Sequence, residues 1–186
     1  MKYREQVANA KAAPNNSYAT PDAVMDVIAP YLAPFPRVWE PCVGLGHIRR
    51  YLEAKGHAVH GTDITMGAEF DVHVHALPPT EYDIIVTNPP YTGKSKFFGR
   101  MFELDKPFAI IVPTMALESP IVRQLLRVHD GHWGILMPAK THAFIPIAHP
   151  EAATLTAPPK NSRSFFHSSW FTYKVPGIRG VVIQSR

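Results

Sequence analysis

The sequence predicts an α/β fold, a mostly parallel sheet with helices on both faces that finishes in an antiparallel pair of strands. Three observations carry that prediction. Short β-rich runs ("RVWEP", "AVHGTDI", "EYDIIVTNPP", "PFAIIVPTMAL") are separated by stretches whose apolar residues recur at helical spacing. Alternation of strand and helix is the pattern of crossover connections between parallel strands. The last third then changes character: "WGILMP", "SSWFTYKV" and "GVVIQS" read as strands, the last two joined through Pro176 and Gly177 as a hairpin.

Taken in order, residues 1–16 read as a polar, loosely held leader. In "TPDAVMDVIAPYL", Thr20 suits a helix N-cap, Pro21 the first helical position and Asp22 the positive end of the helix dipole. Val24, Val27, Ile28, Tyr31 and Leu32 follow helical spacing, and the helix ends among Pro30, Pro34 and Pro36. "RVWEP" is a short buried strand and "CVGLG" a glycine turn. "HIRRYLEAKGH" is a helix with Ile48, Tyr51 and Leu52 inward and Gly56 as its stop. "AVHGTDI" and "EYDIIVTNPP" are the next strands. "KSKFFGRMFEL" is a helix with Phe97, Phe98, Met101 and Phe102 on one side, and "PFAIIVPTMAL" a buried strand. "SPIVRQLLRVHD" opens on Ser119 and Pro120, with Ile121, Val122, Leu125 and Leu126 facing in. Residues 139–164 carry little periodicity and several prolines, and read as a long mobile loop available for substrate recognition.

The 186 residues are 46% hydrophobic and 18% charged, which fits one globular domain over residues 1–186. No run of about 18 apolar residues is present, so no membrane-spanning helix is expected. The first residues lack the apolar centre of a secretory signal, and Cys42 is the only cysteine, so a reducing, cytoplasmic setting is expected. The formal charge of +4 is compatible with a nucleic-acid partner.

Two motifs fall at the carboxyl ends of predicted strands, where ligands bind on open α/β sheets. "EPCVGLG" (Glu40 to Gly46) follows a strand and opens a helix, and Asp63 stands 19 residues beyond Gly44 at the end of the next strand. A carboxylate there can accept hydrogen bonds from both hydroxyls of a ribose. Arg49 replaces the third glycine of the dinucleotide fingerprint, which favours a nucleoside without a pyrophosphate; the plainer reading is a tight turn beside a surface Asp. "TNPPYT" (Thr87 to Thr92) ends a hydrophobic strand with an amide, two prolines and an aromatic ring. Proline cannot continue the ladder and holds the preceding residue extended, so Asn88, Pro89, Pro90 and Tyr91 form a stiff presenting device.

In "YATPDAV", "VWEPCVGLG", "GTDI" and "YDIIVTNPPY" the chain resembles the class I S-adenosylmethionine-dependent methyltransferases, specifically the DNA adenine-N6 branch and its small phage-type members. The resemblance covers residues 18–117 well and implies a Rossmann-like, seven-stranded sheet. It implies that Tyr18 to Thr20 touch the methionine moiety of S-adenosylmethionine. Glu40, Gly44 and Gly46 would line its amino-acid and sugar portions, Asp63 would hold the ribose, and Asp71, with Val72 beside it, the adenine. Asn88 and Pro89 would accept the hydrogens of a target amine, and Tyr91 would stack on an extruded base. The interval from Asp63 to Asp71 is shorter than the family's usual helix.

A second aromatic wall is expected among Phe144, Phe165, Phe166 and Trp170. Lys94, Lys96, Lys140, Lys160 and Arg163 are candidates for phosphate contacts. His73 and His75 share a strand face, but no spacing argues for a metal site. DNA is expected as partner ahead of RNA, with specificity from residues 139–164, a partner or self-association. Methylation of RNA adenine or guanine, methylation of a protein glutamine, and cofactor binding without turnover are the alternative readings.

Overall fold

A computed structural model describes residues 18–63, 81–90, 94–160 and 167–185, with the side chains of residues 94–96 not described. Nine strands are formed among the described residues: β1 (Tyr18–Ala19), β2 (Arg37–Glu40), β3 (Ala58–Gly61), β4 (Ile84–Thr87), β5 (Phe108–Pro113), β6 (Trp133–Met137), β7 (Ile145–Pro146), β8 (Ser168–Tyr173) and β9 (Gly180–Ile183). The helices are α1 (Asp22–Ile28), α2 (His47–Ala54), α3 (Lys94–Glu103) and α4 (Pro120–Val128). Pro30 prevents α1 from continuing as an α-helix, and a 3-10 turn over Ala29–Tyr31 finishes it.

Seven strands form one sheet in the order β3-β2-β4-β5-β8-β6-β9, as the expected α/β architecture requires. β2, β3, β4 and β5 run parallel. Successive strand residues point to opposite faces, and each face has its own core. Val38, Ile84, Val86, Ala109, Ile111, Leu136 and Trp170 pack with α1 and α2 on one side. Trp39, Ile85, Phe108, Ile110, Val112, Ile135 and Phe171 pack with α3 and α4 on the other. The chain builds outward from β2 to β3, then reverses to place β4 on the far side of β2. The carboxyl ends of β2 and β4 therefore flank the point where strand order reverses, the place such sheets hold ligands.

Four sequence expectations change. β8 and β9 form where expected but are not a hairpin: β8 lies between β5 and β6, antiparallel to both, and β9 pairs parallel with β6. Both edges of β8 are already occupied, so β9 finds its partner on the outer edge of β6. Thr20 does not cap α1, whose N-cap is Pro21 with no side-chain hydrogen bond. On α4, Val122 is buried but Ile121 is exposed. Residues 139–160 hold no helix, yet they are tied down. β7 pairs antiparallel with β1, and Ile145 and Ala152 pack with Ala19, Leu45 and Leu155.

Candidate active site

The glycine turn is shaped by what the backbone must do between β2 and α2. Gly44 and Gly46 have φ of 50° and 77°, the left-handed region that side chains disfavour. Gly46 N donates to Val43 O at 2.8 Å and closes the turn. The turn is tied to β3 by Thr62 N to Glu40 O at 2.9 Å and Val43 N to Thr62 O at 3.1 Å. Gly61 is needed for proximity, since a Cβ there would lie 2.5 Å from Val43 Cγ2. Asp63 then comes to the mouth of the turn, where Oδ2 accepts from Gly44 N at 2.9 Å.

Glu40 ends β2 almost fully buried, and its Oε2 has no hydrogen-bond partner. Burial raises its pKa well above the ordinary carboxylate value, with the negative charge of Asp63 adding to the effect and the Arg49 backbone N–H opposing it. His47, the first residue of α2, is buried too: Nε2 lies 3.1 Å from Leu155 O, while Nδ1 is unpartnered. Burial lowers its pKa. Burial raises the pKa of the Cys42 thiol, and the neighbouring Thr87 hydroxyl opposes the rise.

At the end of β4, Thr87 is buried and Asn88 returns to the α1 face. Asn88 Nδ2 donates to Tyr18 O and Thr20 Oγ1, each at 3.2 Å. A backbone carbonyl only accepts, so the amide nitrogen must be the atom facing Tyr18, and Oδ1 points away from it. Pro89 is buried and Pro90 exposed. Register pairs Thr87 with Ile110, so Ile111 stands beside Asn88. Ile111 lines a small crevice together with Val24, His142, Phe144, Ser168 and Trp170. Ser168 Oγ in that crevice is buried without a partner.

The structure thus brings Tyr18, Thr20, Glu40, Gly44, Gly46, Asp63, Asn88, Pro89 and Pro90 to one edge of the sheet. Asp71, Val72, Tyr91, His73, His75, Phe165, Phe166 and Arg163 lie outside the described residues. Phe144 and Trp170 are core residues, Trp170 donating through Nε1 to Val24 O at 3.0 Å, so neither is a free stacking wall. Lys140 and Lys160 are exposed. Among the described residues no three His, Cys, Asp or Glu side chains gather as a metal site. Sequence reasoning missed His47 and the fastening of residues 145–156 over the turn. The one signal for the latter was the apolar run "AFIPIA" inside an otherwise polar stretch.

A putative class I S-adenosylmethionine-dependent methyltransferase from Listeria monocytogenes superposes with a TM-score of 0.54 at 13% identity, over 97% of this chain and 71% of that one. The fold is that of the class I methyltransferases. A TehB-like SAM-dependent methyltransferase from Corynebacterium glutamicum gives a TM-score of 0.45 at 18% identity, over 93% of this chain and 96% of that one. No protein-family model and no curated protein matches the sequence. Within this fold the glycine turn and the Asn88 strand end occupy neighbouring positions on either side of the reversal in strand order. No described helix is long and apolar enough to cross a membrane.

Proposed function

We propose that this chain is an S-adenosylmethionine-dependent N-methyltransferase acting on the exocyclic N6 amine of adenine in DNA. The observation that carries the reading is the fixed orientation of Asn88. Its amide nitrogen is spent on Tyr18 and Thr20, which leaves the oxygen as an acceptor beside Pro89. An aromatic amine is a weak nucleophile because its lone pair is delocalised into the ring. Asn88 Oδ1 and the Pro89 carbonyl can accept its two hydrogens and draw the nitrogen toward tetrahedral geometry, which is electrostatic preorganisation without a strong base. Tyr91 would then hold the plane of an extruded base.

The other half of the site fits the cofactor. Glu40 Oε2 is a buried acceptor lacking a donor, suited to the ammonium of an amino-acid moiety. Asp63 stands by the open glycine turn as an acceptor for ribose hydroxyls. S-adenosylmethionine, when bound, supplies an activated methyl group on a sulfonium, so the chain's own task is alignment and exclusion of water. The order of "YATP", "EPCVGLG" and "NPPY" favours DNA as the polymer. Recognition of its sequence is assigned to residues 139–164, a partner or a second copy.

The test is methyl transfer from labelled cofactor to duplex DNA, single-stranded DNA, structured RNA and a glutamine-bearing peptide, with Asn88→Ala as control. Label on adenine N6 of DNA, absent in the variant, is the expected result. Label on RNA or the peptide reassigns the substrate, and cofactor binding without transfer to any of them removes the reading.

A further inference from the structure

The side chain of Asn88 is gripped by two groups of unequal discrimination. Tyr18 O, 3.2 Å from Nδ2, admits only a donor. Thr20 Oγ1, also at 3.2 Å, takes the second amide hydrogen. Thr20 is buried, and since the helix after it makes no side-chain cap, its hydroxyl has no part in starting α1. We propose that Thr20 is a positioning residue that, with the Tyr18 carbonyl, locks the Asn88 amide with its nitrogen inward and its oxygen toward the reacting amine.

The lock deepens the proposed reaction and rests on it for its purpose, because a flipped amide would present a donor to a donor. Its rigidity comes from elsewhere in the fold. Tyr18 and Ala19 pair with Pro146 and Ile145, so the carbonyl that selects the amide nitrogen belongs to a two-strand ladder. The segment that supplies β7 continues over the cofactor turn. Arg50 donates to Ala153 O at 2.8 Å, and Asp22 N donates to Thr156 O at 3.0 Å. One strap thereby fastens the start of α1 and the start of α2, and Asn88 is held against the fastened part.

Thr20→Val keeps the shape and removes the acceptor, whereas Thr20→Ser restores it. The expected result is a fall in kcat of about tenfold in Thr20→Val, the size of one hydrogen bond, with recovery in Thr20→Ser. Cofactor Kd rises by less than kcat falls in Thr20→Val, the unfolding midpoint falls only by the loss of one hydrogen bond, and Thr20→Ser restores both. A readout independent of turnover is hydrogen exchange of the Asn88 side-chain amide, assigned by its loss in Asn88→Ser. It should be protected in the wild type, faster in Thr20→Val and protected again in Thr20→Ser. Wild-type exchange at the rate of a free asparagine amide, or no change in Thr20→Val, overturns the lock. So does a raised cofactor Kd with kcat intact, which would make Thr20 a cofactor contact instead. Protection that follows the lock in a protein that methylates no amine leaves the lock standing and removes the proposed reaction.

Discussion

The two ends of the central sheet treat their polar groups in opposite ways. At the carboxyl edge, Glu40 Oε2, His47 Nδ1, Thr87 Oγ1 and Ser168 Oγ are buried without a hydrogen-bond partner, and they are all such side-chain atoms among the described residues. At the other end, charges meet counter-charges. Arg37 spans Asp83 and Glu81 at 2.7 Å each, and Asp105 accepts from Lys174 at 2.7 Å and from Tyr173 at 2.9 Å. Two residues with positive φ, Asp105 and Lys174, face each other in that second cluster, so the ion pair closes a pair of tight turns. Buried polar groups left without partners lower stability unless something else binds them. One edge therefore pairs its charges with counter-charges, whereas the other keeps polar groups that folding does not pair.

The sharpest way to break that contrast is to divide the carboxyl edge into its two proposed tasks. Asn88→Ala is expected to lower kcat by about 10²–10³ and leave cofactor Kd within a few-fold, as for loss of one preorganised group at a reacting centre. Asp63→Ala should instead raise cofactor Kd by about ten- to a hundredfold, the loss of one or two hydrogen bonds to a charged group. Steady-state kinetics and direct cofactor titration separate the two. If both variants lose affinity equally, the edge is one undivided site.

Gly61→Ala tests whether the glycine turn depends on close packing. The added Cβ would sit 2.5 Å from Val43 Cγ2, and valine has little rotamer freedom to retreat. Overpacking of this kind costs about 1–3 kcal/mol. The unfolding midpoint should fall and cofactor binding weaken together. Gly99→Ala in α3, where nothing lies within 4 Å of the new methyl, should not destabilise the protein. Equal behaviour of the two variants would show that Val43 moves freely.

The central sheet was legible because its strands carry their instructions locally. "IIV" and "FAIIVP" are apolar throughout, as strands covered on both faces must be; Asn88 follows the first of these strands, and Gly44 and Gly46 follow "RVWE", by chain order alone. The pairing of β9 was not legible. "GVVIQS" follows "SSWFTYKV" at hairpin distance, and only the occupation of both β8 edges by β5 and β6 excludes the hairpin. Thr20 misled for a related reason. Its place before Pro21 is that of a cap, and the competing partner, Asn88, lies 68 residues away. The fastening of β7 to β1 depends on two residue pairs far apart in sequence, which no periodicity reports.

Protonation should separate the two edges by sign. The proton on Glu40 is held more tightly in the folded chain, whose pKa is raised above 4.5 by burial, than in the unfolded chain. Its contribution to stability is complete below 4.5 and is lost as pH rises through the raised folded value. Glu40→Gln removes that dependence. Plotted against pH, the unfolding midpoint of the wild type should therefore drop relative to Glu40→Gln on going from acid to neutral solution. The variant should also bind cofactor more weakly. Parallel midpoint curves would mean that Glu40 finds a partner in the free protein.

Asp83 gives the smallest effect and the opposite sign. Its hydrogen bonds to Arg37 pull its pKa below 3.8, so it favours folding above that value and loses the contribution as pH falls through the depressed folded value. Asp83→Asn keeps an oxygen for the Arg37 backbone N–H, bonded at 2.9 Å, and removes the charge together with the second acceptor, Oδ1, that takes Arg37 Nη2 at 2.7 Å. Because Arg37 is exposed, salt and water screen the pair, and the difference between wild type and variant should be slight at neutral pH and vanish in about 1 M salt. Acidification should shrink it too, whereas acidification enlarges the advantage of wild type over Glu40→Gln. A salt-resistant effect at Asp83 would mean that this end also holds a desolvated charge, and the contrast between the edges would then rest on burial of Glu40 alone.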